Sequence, residues 1–224
     1  MSSEAVATVV ATLRPTRSLL QWLLGLTMVI VVSIGWKYPV LGYMVPVTMG
    51  LGMAGSFTHG RFVCGNLCAR GNFLDTFFWG VGGNRQLPAF LFNPVFRWSV
   101  VTVLMSGMVW QISLNPGDPT HWGFVFWTMC TVTTIVALFL GLAFRARSWC
   151  LMCPMGTIAA AIGGNKFQLQ ISESCEECNS CGESCPFSFS IASHKEAGVL
   201  QERDCLKCSD CVSACSKGAI NWPA

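Results

Sequence analysis

Thirteen of the 224 residues are cysteine, and eight of them form two runs of one spacing. Cys175, Cys178, Cys181 and Cys185 are separated by two, two and three residues, and Cys205, Cys208, Cys211 and Cys215 repeat the pattern. Three thiolates on a tight loop can cap three corners of an iron-sulfur cubane, while the fourth must come from a distant stretch of chain. In the bacterial two-cluster ferredoxin run, that fourth cysteine ligates the other cluster. The expected ligand sets are therefore Cys175, Cys178, Cys181 and Cys215 for one 4Fe-4S cluster, and Cys205, Cys208, Cys211 and Cys185 for the second. Zinc competes for such ligands, but its sites usually take two pairs from separated knuckles. Pro186 follows Cys185 whereas Ser216 follows Cys215, a difference that removes no ligand.

Four more cysteines fall in an internal repeat. One copy reads Arg61-x-x-Cys64-x-x-x-Cys68-x-x-Gly71, the other Arg147-x-x-Cys150-x-x-Cys153-x-x-Gly156. Taken singly, each pair reads as a thiol pair or as half of a ligand set. Taken together, at matching ends of matching hairpins, they are expected to hold a third iron-sulfur cluster; a disulfide, zinc or separate sites are the alternatives. Arg61 and Arg147 either offset the negative charge of that cluster or serve only as membrane-boundary cations. Cys130 has no partner at helical spacing and reads as core packing. No CxxC is followed by His, and His59, His121 and His194 are too dispersed to clamp a heme. Gly50-x-Gly52-x-x-Gly55 lies in an apolar span with no strand before it, which favours close helix packing over dinucleotide binding. No Ser/His/Asp set, P-loop or metalloprotease motif supports hydrolysis or phosphoryl transfer.

Positioning these sulfurs falls to an unusual chain: 52% of residues are hydrophobic and 11% charged, against about 25% charged in ordinary soluble domains. Four uncharged stretches, Ser18 to Trp36, Tyr38 to Phe57, Trp98 to Leu114 and Trp122 to Phe144, are read as transmembrane helices. The expected architecture is an all-α membrane domain of two repeated hairpins over residues 18–166, after an N-terminal segment 1–17. A small α+β two-cluster ferredoxin domain follows over 167–224. Through Lys166 there are ten Lys or Arg and three Asp or Glu; after it, four and eight. Arg14, Arg17, Arg61, Arg70, Arg85, Arg97, Arg145, Arg147 and Lys166 share one side of the spans and Lys37 lies on the other. The positive-inside rule then puts both termini in the cytoplasm, across a bacterial or archaeal inner membrane.

Gly60-Arg61-Phe62-Val63-Cys64-Gly65-Asn66-Leu67-Cys68, Arg147-Ser148-Trp149-Cys150-Leu151-Met152-Cys153-Pro154-Met155-Gly156 and both C-terminal runs resemble the NapH, NosR and CcoG-type membrane ferredoxins, most closely the four-helix quinol-dehydrogenase type. Ala69 stands where that family usually has proline. The resemblance implies electron transfer between the quinone pool and a redox partner. From the residues, the expectation is a membrane-anchored electron carrier relaying single electrons to a protein partner, with no nucleic acid involved. The alternatives are a docking subunit of a larger oxidoreductase without its own quinone site, or a maturation or redox-sensing factor. A quinone headgroup is placed near His59 and Asp75, a polar proton-handling pair beside Phe78, Trp79 and Asn84; the competing reading lays this connector on the membrane surface.

Overall fold

Uncharged, apolar sequence from Leu19 to Ile34 forms helix α1. A 3-10 turn at Pro39–Tyr43 leads into α2 (Met44–His59), and the short α3 (Phe62–Asn66) and α4 (Ala69–Phe78) follow. The computed structural model of the chain describes residues 19–78 and 85–223. The N-terminal segment 1–17, Ser18, Trp79 and Asn84 lie outside the described residues. Helices α5 (Pro94–Leu114) and α6 (Pro119–Ala143) start by one device. The Asn93 and Asp118 side chains each accept a 2.9 Å hydrogen bond from the N–H two residues on. Pro94 and Pro119 then occupy the first turn, where an N–H has no helical partner. The third and fourth apolar stretches therefore begin at Pro94 and Pro119, ahead of the expected Trp98 and Trp122.

Three helical stretches, Pro39–His59, Pro94–Leu114 and Pro119–Ala143, are long and apolar enough to cross a membrane. The described part of α1 has 16 residues, short of the roughly 20 that a bilayer core requires. Leu23, Leu26 and Ile30 on α1, Leu51 on α2, Val103 and Trp110 on α5 and Phe139 on α6 are exposed, an apolar surface suited to lipid rather than water.

Short helices after the cysteine pairs tie the long ones together. Helix α4 packs on α1 and α6; after α7 (Trp149–Met152), α8 (Pro154–Gly163) packs on α2 and α5. Missing side chains make these approaches possible. A Cβ on Gly163 would collide with the Ser56 carbonyl oxygen, and one on Gly42 with that of Gly123.

The C-terminal region closes with an antiparallel pair, β1 (Gln170–Ile171) and β2 (Ile220–Asn221). Between them lie α9 (Ser180–Ser184), a 3-10 turn at Ile191–His194, and α10 (Asp210–Ala214), with α9 against α10. One buried apolar cluster includes Leu74, Leu91 and Trp149 of the helical region and Leu169, Phe187, Leu206 and Ile220 of the C-terminal region. The two regions thus share a core. A Cβ on Gly65 would collide with the Leu206 carbonyl oxygen. Gly65→Ala is accordingly expected to destabilise the docked module by about 1–3 kcal/mol. Gly107, with nothing within 4 Å of its added Cβ, is the control. Thermal unfolding of both variants checks this; equal stability would show that the contact yields freely.

Candidate metal centres

The fourth cysteine of each C-terminal run leaves its own run. Cys205, Cys208 and Cys211 line one cavity together with Cys185, beside Phe187, Leu206 and Trp222. Cys175, Cys178 and Cys181 line another together with Cys215, beside Asn179 and Lys217. Each cavity thus brings the fourth cysteine of one run beside the first three of the other.

Backbone conformation repeats with the sulfurs. Glu177 and Asn179 in the first run, and Lys207 and Ser209 in the second, have φ of 54°, 61°, 56° and 66°. Left-handed backbone costs non-glycine residues of order 1–3 kcal/mol each. Its return is a nest of N–H groups facing one side, suited to an anionic group. After each fourth cysteine the same conformation recurs, at Ser188 with φ 56° and Gly218 with φ 61°.

The two cavities differ in surroundings. Around the Cys185 cavity, the Arg145 Nη1 donates to the Cys185 carbonyl at 2.7 Å, and buried Lys207 donates its Nζ to the Lys166 carbonyl. Desolvation pushes Cys185 up to about 11 and lowers Lys207. The other cavity lies at the surface, where Cys178 is exposed and the Ser180 N–H lowers its thiol pKa.

Arginines organise the remaining four cysteines by exchange. Arg61 is fully buried; its Nη2 donates to the Cys150 carbonyl, and its Nη1 to the carboxylate and carbonyl of Asp204 at 3.0 Å. Arg147, also buried, donates to the carbonyls of Cys64 at 3.2 Å and Gly65 at 2.9 Å, and through Nε to Asp75 at 2.8 Å. Each motif's arginine thus holds the other motif's cysteine loop. The glycines complete the exchange: an added Cβ would lie 2.6 Å from Arg61 Nη2 at Gly156, and 3.3 Å from Arg147 Nη1 at Gly71. The nearly equal Arg, Cys and Gly offsets in sequence record this arrangement.

Cys64 and Cys150 each interact electrostatically with both Cys68 and Cys153, so the two pairs form one group. Desolvation pushes Cys64 up to about 11 and Cys150 up to about 12, although Arg61 and Arg147 pull both down. Trp149 Nε1 and Thr157 Oγ1, beside Cys150 and after Cys153, are buried without a hydrogen-bond partner. Thiolate and sulfide acceptors of a bound cluster suit such donors. Among the described residues no three His, Cys, Asp or Glu side chains are grouped to hold a single metal ion.

Asp204, directly before Cys205, joins the two parts. Arg97 grips its carboxylate with Nη1 and Nη2, both at 2.7 Å, while Arg61 Nη1 also donates to Oδ1. Burial alone would raise this carboxyl, but the Arg97 hydrogen bonds and the Arg61 charge hold it below its ordinary value. A depressed carboxyl contributes stability above its unfolded pKa of about 3.9 and loses it as pH falls through the folded value. Wild-type thermal stability should therefore fall below about pH 4. Asp204→Asn, which leaves two arginines unpaired, should already be lower at pH 7, by roughly 3–5 kcal/mol, and flatter across the acid window. Identical pH profiles would remove this role.

The expected His59–Asp75 pair has divided partners. His59 is exposed at the end of α2, with Nδ1 2.8 Å from Thr58 Oγ1 and its ring centroid 6.1 Å from Phe62 and 5.1 Å from Phe167. Asp75 is buried and held by Arg147, which makes it a structural counter-charge rather than an open proton acceptor. Phe78 packs on Phe73, with centroids 5.6 Å apart. Sequence reasoning missed Asp204, Arg97 and Arg70; the place of Asp204 beside a ligand cysteine was the one local signal for the first.

A family model described as a 4Fe-4S dicluster domain matches residues 174–220. A second, described as a 4Fe-4S binding domain, matches twice, over residues 41–88 and 124–170. Two uncharacterized proteins of Methanocaldococcus jannaschii are similar to this chain: MJ0749 is 30% identical over 94 residues and MJ0750 29% over 97. These alignments cover 40% and 41% of this chain, and the chain spans only 36% and 39% of the length of the two relatives. No solved structure matches the chain. The domain matches support an iron-sulfur protein of ferredoxin type, with 4Fe-4S clusters as cofactors and an electron-transfer role.

Proposed function

We propose that this ferredoxin-type chain is a membrane-bound electron relay with three iron-sulfur centres in a row. The four cysteines of the helical region hold one. Cys185, Cys205, Cys208 and Cys211 hold the next, and Cys175, Cys178, Cys181 and Cys215 the outermost. Bound clusters supply one-electron chemistry, and the protein positions them. The observation that carries the order is Arg61, which touches both the Cys150 carbonyl and Asp204, the residue before Cys205. Arg147 supports it, since its charge acts on both Cys150 and Cys208.

Four spans arranged as two repeated hairpins, with the C-terminal module on the cytoplasmic face of a prokaryotic inner membrane, complete the proposal. Arg61, Arg97 and Arg145 contact the C-terminal region, so these boundary cations sit at its end of the helices, as the positive-inside rule requires for a cytoplasmic module. The family carrying quinol-dehydrogenase membrane ferredoxins is the proposed affiliation.

The membrane-end donor or acceptor is proposed to be a quinone. His59 takes the contact alone, because Asp75 is committed to Arg147. Thr58 engages His59 Nδ1, leaving Nε2 to exchange a proton. A redox protein is the proposed partner at the outer end, where Glu173, Glu176, Glu177 and Glu183, near exposed Cys178 in sequence, are exposed, Glu176 pairing with Lys217 and Glu177 with Lys195.

Anaerobic mixing of the detergent-solubilised protein with a reduced quinone analogue tests the reading. Bleaching of the visible iron-sulfur absorption, slowed by His59→Ala, is expected. Unchanged bleaching would exclude His59, and none in the wild type would favour the docking subunit without a quinone site.

A further inference from the structure

Arg70 is a half-buried charge that no carboxylate answers among the described residues. Arg61, Arg97 and Arg147 each have an aspartate oxygen within 3.0 Å. Arg70 has no acidic partner among the described residues; its Nε is enclosed without a hydrogen-bond partner. Its Nη2 donates to the Cys130 carbonyl at 3.3 Å and lies 3.5 Å from the Cys130 sulfur. Cys68 stands two residues before it, directly ahead of α4, and the other groups acting on it are the sulfurs of Cys153 and Cys68. A guanidinium cannot deprotonate in a protein, and a cation partly withdrawn from water without a counter-charge is unfavourable. Negative charge held by Cys68 and Cys153 would answer it.

The internal repeat sharpens the point. Arg70 immediately precedes Gly71, and Met155 immediately precedes Gly156. Arg61 and Arg147 reach across the repeat reciprocally, but at this position one copy carries a full charge and the other an apolar side chain. The asymmetry is not needed for packing, since methionine fills the equivalent place.

We propose that Arg70, anchored by the carbonyl and thiol of Cys130, is the fixed positive charge of the four-cysteine centre and raises its reduction potential. This rests on that quartet being an iron-sulfur site. Adding an electron makes such a centre more negative, and a nearby fixed cation stabilises the reduced form. Cys130 acquires a role that packing alone does not give it: it aims the guanidinium.

The test is an EPR-monitored redox titration of the full chain, purified anaerobically, as wild type, Arg70→Met, Arg70→Lys and Cys130→Ala. Arg70→Met should lower the reduced-to-oxidised ratio of the quartet centre at a fixed poise by at least about tenfold, the scale of one unit charge roughly 12 Å away at an effective dielectric near 20. The two C-terminal centres should not move. Arg70→Lys should stay near wild type, and Cys130→Ala should shift the quartet in the same direction by less. A quartet signal that titrates unchanged in Arg70→Met, or three signals that shift equally, overturns the proposal. If Arg70→Met fails to retain the centre, an unshifted Cys130→Ala overturns it. A wild type with only about eight iron atoms and no third signal would instead remove the quartet reading on which it rests.

Discussion

Replacing Cys185 with serine is expected to remove the centre of the other run. Cys185 follows Cys181 by the ferredoxin spacing, yet it lines the cavity of Cys205, Cys208 and Cys211. About four iron atoms should be lost, and the surviving signal should be that of Cys175, Cys178, Cys181 and Cys215. Cys215→Ser should do the converse. The two losses should differ in their effect on docking. Asp204, next to Cys205, binds Arg61 and Arg97, so disturbing the inner loop loosens the module from the helices. The outer loop makes no comparable ion pair with the helical region among the described residues. Cys185→Ser should therefore be cut faster by protease between the regions, and Cys215→Ser should not. Iron counting with EPR on both variants checks the assignment. Loss of the signal belonging to each mutated residue's own run would refute the crossing.

A second large effect is expected at Asp75. Its carboxylate receives Arg147 Nε at 2.8 Å and Nη2 at 2.5 Å, with both side chains buried. Asp75→Asn leaves the Arg147 charge unanswered, at a cost of about 3–5 kcal/mol. Arg147 also supports the Cys64 and Gly65 carbonyls, so the quartet should lose metal before the C-terminal centres do. The double variant Asp75→Asn with Arg147→Met separates the two roles. Removing the charge should recover much of the stability, since apolar replacement of a buried pair is often neutral or better. Occupancy of the quartet should stay low because the carbonyl grip is gone. Thermal unfolding and iron content on the three variants measure this; equal losses in the single and double variants would contradict it.

Spacing along the chain made the ferredoxin crossing legible, because three nearby thiols on one loop cannot close a cubane alone. The Arg, Cys and Gly repeat was legible as a pattern, but its meaning was not. Whether Arg61 touches Cys150 or its own Cys64 depends on how the two halves meet, which no local offset encodes. Asp75 illustrates the same limit. As a carboxylate among aromatics near a membrane boundary it reads as a proton acceptor, and only its burial against Arg147 makes it a structural partner. Cys130 lacked a partner at helical spacing because its partner, Arg70, lies on another helix. Helix starts were nearly readable: Asn93-Pro94 and Asp118-Pro119 are cap-and-proline pairs, displaced from the expected boundaries because hydropathy follows apolar residues and not caps.

Iron content and EPR of the protein purified without oxygen test the relay most directly. About twelve iron atoms per chain and three signals that titrate separately, with the quartet signal lost in Cys150→Ser and the other two retained, is the predicted result. A colourless preparation loaded with zinc, or a Cys150→Ser protein with all of its iron, would contradict it.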